Sequence, residues 1–153
     1  VRNAVHLGIL GVAGVSCSTP AALPPMGTEV SDGPLVCQVQ SLTRLGNMVP
    51  LLTSRGSLPR PTGYWAVFSI LFTNNGAESS DAFTVSEQSL STSQGTAVPL
   101  PTVDRFLSNP ADVLAEDRET YTVAFEVLPG AIMHSLTLDC GNQSITVGVD
   151  EPG

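Results

Sequence analysis

The chain has 153 residues, enough for one domain with a substantial core once an N-terminal export segment is set aside. It carries 6 basic and 14 acidic residues, a balance that argues against nucleic acid and anionic bilayer surfaces as partners, since both reward a basic face. Every basic residue is Arg, which excludes the chemistry of Schiff-base and P-loop lysines.

Residues 1–16 read as a signal peptide, with a basic start at Arg2, an apolar run from Ala4 to Val15 and small residues before Cys17. The run is too short for a permanent membrane-spanning helix. Gly14-Val15-Ser16-Cys17 resembles a bacterial lipobox, which predicts cleavage before Cys17 and a lipid on that residue. It departs from the usual pattern at Gly14, where Leu is typical, and His6 is unusual in such a leader. Gly14 and Ser16 also satisfy the small-x-small rule of ordinary secretory cleavage, so a freely secreted protein is the alternative to one anchored in the cell membrane. The position of Cys17 favours the anchor. It closes the apolar run, and the Pro-rich stretch Ser18 to Pro25 that follows reads as a tether, giving a lipidated cysteine and flexible linker over residues 17–28.

The domain itself is expected over residues 29–150, with a short tail at 151–153. Short β-branched and aromatic runs alternate there with Gly, Pro, Asn and Ser, and no helical period is sustained, which is the pattern of an antiparallel sandwich. Leu35 to Leu42 alternates and places Leu35, Cys37 and Val39 on one face. Residues 47–62 form a long connection in which Met48, Val49, Leu51, Leu52 and Leu58 sit among Pro50, Pro59 and Pro61. These apolar residues either cover an open end of the sandwich or form an exposed contact patch. Tyr64 to Thr73 is apolar on both sides, as a central strand requires, and ends in the turn Asn74-Asn75-Gly76. Phe83 to Val85 and Glu87 to Leu90 suggest a short edge pair, followed by a turn at Ser93 to Thr96. Thr120 to Val127 places Tyr121, Val123, Phe125 and Val127 on one face and stops at Leu128-Pro129-Gly130. Ser135 to Cys140 and Ser144 to Val149 then form a hairpin through Gly141-Asn142-Gln143.

Three cysteines in an exported chain imply one pair and one thiol with a separate fate. Cys37 and Cys140 both fall on apolar strand faces, so a disulfide between them is expected, joining an early strand to a late one.

Four pieces in order, Val30-Ser31-Asp32-Gly33, Phe72-Thr73-Asn74-Asn75-Gly76, Phe125 to Gly130 and the final hairpin, resemble the telokin-like, immunoglobulin-type sandwich family of exported actinobacterial and Gram-positive proteins. The resemblance spans roughly residues 29 to 150 and implies an all-β, immunoglobulin-like antiparallel sandwich with an envelope location. That family usually has a Pro-Gly turn before its penultimate long strand. This chain has Leu114-Ala115-Glu116-Asp117, where Asp can take the left-handed geometry the turn needs. The resemblance implies no shared active site.

The residues themselves suggest no catalytic centre. His134 is the one histidine after the leader and reads as part of a turn, and no Gly-x-Ser-x-Gly elbow accompanies it. Cys37 and Cys140 are spent on each other, which leaves little for zinc. Asp112, Glu116, Asp117 and Glu119 crowd one loop near Arg105 and Arg118, but no calcium-loop spacing is present and a solvated acidic loop is the commoner meaning. No metal or cofactor is therefore expected. Two function classes follow: an envelope binding module that recognises a protein or small ligand through its loops, or, less favoured, a small hydrolase with a non-standard site.

Overall fold

The apolar alternation beginning at Leu35 produces strand β2 (Leu35–Gly46), which pairs on one side with β1 (Glu29–Asp32) and on the other with β5 (Tyr64–Asn74). In this computed structural model residues 21–46, 52–53, 56–57, 61–79, 88–97, 113–141 and 143–149 are described. Leu35, Cys37 and Val39 are buried, as the pattern requires. A bulge between Val39 and Ser41 then inserts one residue. Beyond it the alternation flips, and Leu42 packs against the core.

The long apolar run does become a central strand. β5 lies between β2 and β8 (Arg118–Val127), giving a four-stranded antiparallel sheet in the order β1, β2, β5, β8. Ala66, Phe68, Ile70 and Phe72 face inward with Tyr121, Val123, Phe125 and Val127. Two edge-to-face pairs lock this face, Phe68 with Phe125 at 5.9 Å and Phe72 with Tyr121 at 5.3 Å between ring centroids.

The second sheet has the order β10 (Gln143–Gly148), β9 (Met133–Cys140), β6 (Ser89–Thr92), β7 (Gly95–Ala97), all antiparallel. The expected hairpin of β9 and β10 is present. Leu136, Leu138, Cys140, Ile145 and Val147 meet the first sheet in one continuous core, and a disulfide joins Cys37 of β2 to Cys140 of β9 across it. Two short strands, β3 (Leu52–Thr53) and β4 (Gly56–Ser57), pair within the β2–β5 connection. The described chain is thus an antiparallel β-sandwich.

Four local expectations need correction. β6 pairs with β7 and β9, not with an earlier strand, while Phe83 to Val85 and Glu87 lie outside the described residues. Gln88 is buried, and its Oε1 accepts from the Asp139 N–H at 3.0 Å. His134 belongs to β9 and not to a turn: Ser91 pairs with Ser135 and Thr92 with Met133, so His134 is an extra residue on that strand and points to solvent. In the turn before β8 the left-handed residue is Glu116, with φ 57°, and not Asp117. The Glu116 N–H reaches the Gly76 carbonyl and the Asn74 N–H reaches that of Asp117, which fixes the turn where Pro-Gly was expected. Lastly, the end of the expected linker is tied down. Pro25 forms a parallel bridge to Gly148 and Gly27 donates to the Val39 carbonyl at 2.9 Å, so the segment crosses from one sheet to the other before β1.

These pairings give the sandwich two distinct ends. At one lie the disulfide, the Cys140 to Gln143 turn and the start of β2. At the other lie the two ends of the β2–β5 connection, the β6–β7 turn and the β8–β9 turn, because Tyr64 pairs with both Gly46 and Val127 and Thr92 pairs with Met133.

Candidate functional site

The end away from the disulfide is held together by main-chain and side-chain bonds between its turns. Ser93 donates its N–H to the Ile132 carbonyl at 2.8 Å and accepts the Ile132 N–H on Oγ at 3.0 Å. Gln94 Nε2 donates to the Pro129 carbonyl. Gly130 takes φ 74°, which lets the β8–β9 turn reverse tightly. This bracing leaves the two apolar residues of that turn outside: Leu128 is 47 % and Ile132 51 % exposed. In the sequence, Leu128-Pro129-Gly130 gives only a strand stop. Nothing in a single chain tells which side of a turn its apolar residues will take.

A groove of about 270 Å³ opens beside this turn, between the β6–β7 hairpin and the Glu126, Val127 and Leu128 end of β8. It runs between the outermost strands of the two sheets. Glu126 supplies its charge, and Glu126 Oε1 also accepts the Thr62 N–H at 2.7 Å. Gly63 lies so close to the Val127 carbonyl that a Cβ there would overlap it. The β2–β5 connection is therefore tied to the groove wall at its β5 end, where Pro61 is buried. Trp65 continues this corner. It is 1 % exposed although it lies on the face of β5 opposite the core residues, and its indole Nε1 has no hydrogen-bond partner among the described residues. Across the sheet Arg44 sits over the Tyr64 ring at 5.6 Å.

Of the residues singled out for contact, Leu52 lies in β3 opposite Ser57. Met48, Val49, Leu51 and Leu58 lie outside the described residues, as does Cys17. Asp112 and Arg105 are also outside them, and Glu116, Asp117, Arg118 and Glu119 are exposed. Among the described residues no group of three or more His, Cys, Asp or Glu is placed to hold a metal ion. A second, smaller depression of about 200 Å³ lies on the outer face of the first sheet, with Val36 and Leu71 in its floor and Glu29 and Arg118 on opposite sides. It is remote from the three turns.

No family model and no curated protein sequence matches the chain. Solved structures do resemble it. The yjhA protein from Bacillus subtilis superposes with a TM-score of 0.62 at 9 % identity, over 84 % of this chain and 100 % of that one. The secreted protein MPT63 from Mycobacterium tuberculosis superposes at 0.57 and 13 % identity, over 85 % and 99 %. An uncharacterized β-sandwich protein from Clostridium difficile 630 gives 0.54 at 5 % identity, over 86 % and 97 %. At these identities the likeness is one of fold. The chain is an all-β protein with the β-sandwich architecture of these three.

Proposed function

We propose that this protein is an exported, lipid-anchored binding module of the cell envelope whose contact surface is the sandwich end that carries Leu128 and Ile132. The observation that carries the reading is a groove flanked by a braced turn that holds two half-exposed apolar residues, Leu128 and Ile132. Braced turns that hold apolar side chains in water are costly to the folded state alone and repay that cost on a partner. The leader and Cys17 support export and anchoring, the disulfide suits an oxidising compartment, and one structural neighbour is a secreted protein.

Mass spectrometry of the protein from its native host tests the anchor, and a photo-crosslinking residue at Ile132 tests the surface. An acylated N-terminal Cys17 with Ile132-dependent crosslinks to one envelope component is the expected result. A soluble, unacylated protein in the medium would favour free secretion, for which the Gly14 and Ser16 cleavage pattern already allows. Crosslinks equally abundant from a control position on the disulfide end would defeat the contact surface.

A further inference from the structure

The groove has one more property, set by the direction of its backbone groups. The Ser93 N–H bonds to Ile132 on β9. By alternation, the odd residues of β6 direct their main-chain groups toward β9, and Leu90 and Thr92 direct theirs toward β7. Their partners Ala97 and Gly95 point back. Thr96, between them, points its N–H and C=O away from the sheet, at the outer edge of an outermost strand, and Thr96 is exposed and lines the groove. On the opposite wall the Asn74 N–H bonds to the Asp117 carbonyl, so by alternation Val123, Phe125 and Val127 direct their main-chain groups to β5, and Ala124, which faces outward, is buried. Among the described residues, Thr96 of β7 offers an exposed, outward-directed main chain in this groove.

We propose that the groove binds an extended peptide segment by strand addition to β7, its main chain bonding the Thr96 N–H and C=O and a basic side chain meeting the Glu126 carboxylate. Unpaired edge groups are the usual template for an added strand, and alternate side chains of the added strand give selectivity. Among the described residues Glu126 is the charged side chain lining the groove, and a chain with 14 acidic and 6 basic residues attracts cations generally. A small polar ligand would leave the apolar rim at Leu128 unused. An extended peptide places one side chain on Glu126 and the next against that rim. The proposal rests on the binding-module reading and adds the chemistry of the partner.

The test uses isotopically labelled protein purified from its native host and an acetylated, amidated heptapeptide of alternating Lys and Val. Saturable amide shifts at Thr96 and the end of β8 are expected, with slowed hydrogen exchange at Thr96. Glu126→Gln keeps an acceptor for the Thr62 N–H and should weaken binding about tenfold, as loss of a charge-assisted hydrogen bond implies. Thr96→Pro removes the outward N–H without removing a bond of the hairpin and should abolish binding while the spectrum elsewhere stays that of the folded protein. A second folded variant, Glu126→Ala, guards against a Thr96→Pro protein that fails to fold. Shifts that bypass Thr96, or an equal response to the same peptide with Glu in place of Lys, would overturn the proposal. Ile132 crosslinks persisting in the absence of any peptide response would leave the contact end intact and sink only the strand-addition mode.

Discussion

Asn74 binds Val113 across 39 positions of sequence: its Nδ2 donates to the Val113 carbonyl at 3.0 Å while also donating to the Glu78 carbonyl at 2.8 Å. Its Oδ1 accepts the Gly76 N–H at 2.9 Å, so one side chain, 1 % exposed, shapes the turn after β5 and pins the segment that leads into β8.

Asn74→Ala should therefore destabilise far more than its size suggests. It strands the Val113 carbonyl, which is buried, and frees the Gly76 turn, and each unsatisfied buried group costs roughly 1–3 kcal/mol. A loss of about 2–4 kcal/mol in urea unfolding is expected. Asn74→Asp should be no milder, since it replaces a donor to two carbonyls with a second acceptor. A loss below about 0.5 kcal/mol in either variant would show that these bonds contribute nothing net.

The disulfide should be slow to reduce and costly to lose. Cys37 is 2 % and Cys140 0 % exposed, so a reductant must wait for the sandwich to open. The linked positions are 103 residues apart, and in the chain-entropy account closing a loop of this size contributes about 4–5 kcal/mol. For a domain of this length that corresponds to a fall on the order of ten degrees in melting temperature. Thiol labelling under native conditions should find both residues unreactive, and a Cys37→Ala, Cys140→Ala protein should melt correspondingly lower.

The sheet framework was legible in the sequence because strand periodicity and burial are the same fact. Tyr121, Val123, Phe125 and Val127 alternate in the chain and share the core face. What escaped were features decided by contacts distant in sequence. The bulge after Val39 depends on how β2 meets β5, and His134 sits in a strand because β6 skips it. The contact end was legible only in part. The connection over residues 47–62 stood out by its proline and apolar content, whereas Leu128 and Ile132 became conspicuous only once Ser93 and Gln94 were seen to brace their turn. The direction of the Thr96 main chain follows from the register of three strands at once, which no local pattern encodes.

Gly63 offers a comparison within one protein. A Cβ there would overlap the Val127 carbonyl and press on the backbone of Leu128 and Pro129, while one at Gly46 would meet nothing within 4 Å. Gly63→Ala must move the end of β8 or the chain entering β5, a backbone clash expected to cost about 1–3 kcal/mol as overpacking does. Because Val127 and Leu128 wall the groove, that variant should also disturb binding at the contact end. Gly46→Ala should stay within about 0.5 kcal/mol of the parent. Equal unfolding midpoints for the two variants would contradict the close approach at Gly63.

Trp65, the single tryptophan, makes an unusual demand on the fold, since it is buried and its indole N–H has no partner among the described residues. Trp65→Phe removes that unpaired donor, which relieves roughly 1–3 kcal/mol, and it also removes part of a large apolar ring, which costs a comparable amount. The two effects oppose each other, so the net change should lie within about 1 kcal/mol, against about 3–5 kcal/mol for Trp65→Ala. Trp65 also pairs with Glu126 across β5 and β8, which makes its fluorescence a reporter for the groove. Emission should be blue-shifted in the folded protein, move to the red on unfolding, and change on addition of a Lys-containing peptide in the parent but far less in Glu126→Gln. A Trp65→Phe loss as large as that of Trp65→Ala would mean that the indole N–H has a partner in solution, such as an ordered water, and that its ring edge is part of the structural core of this corner.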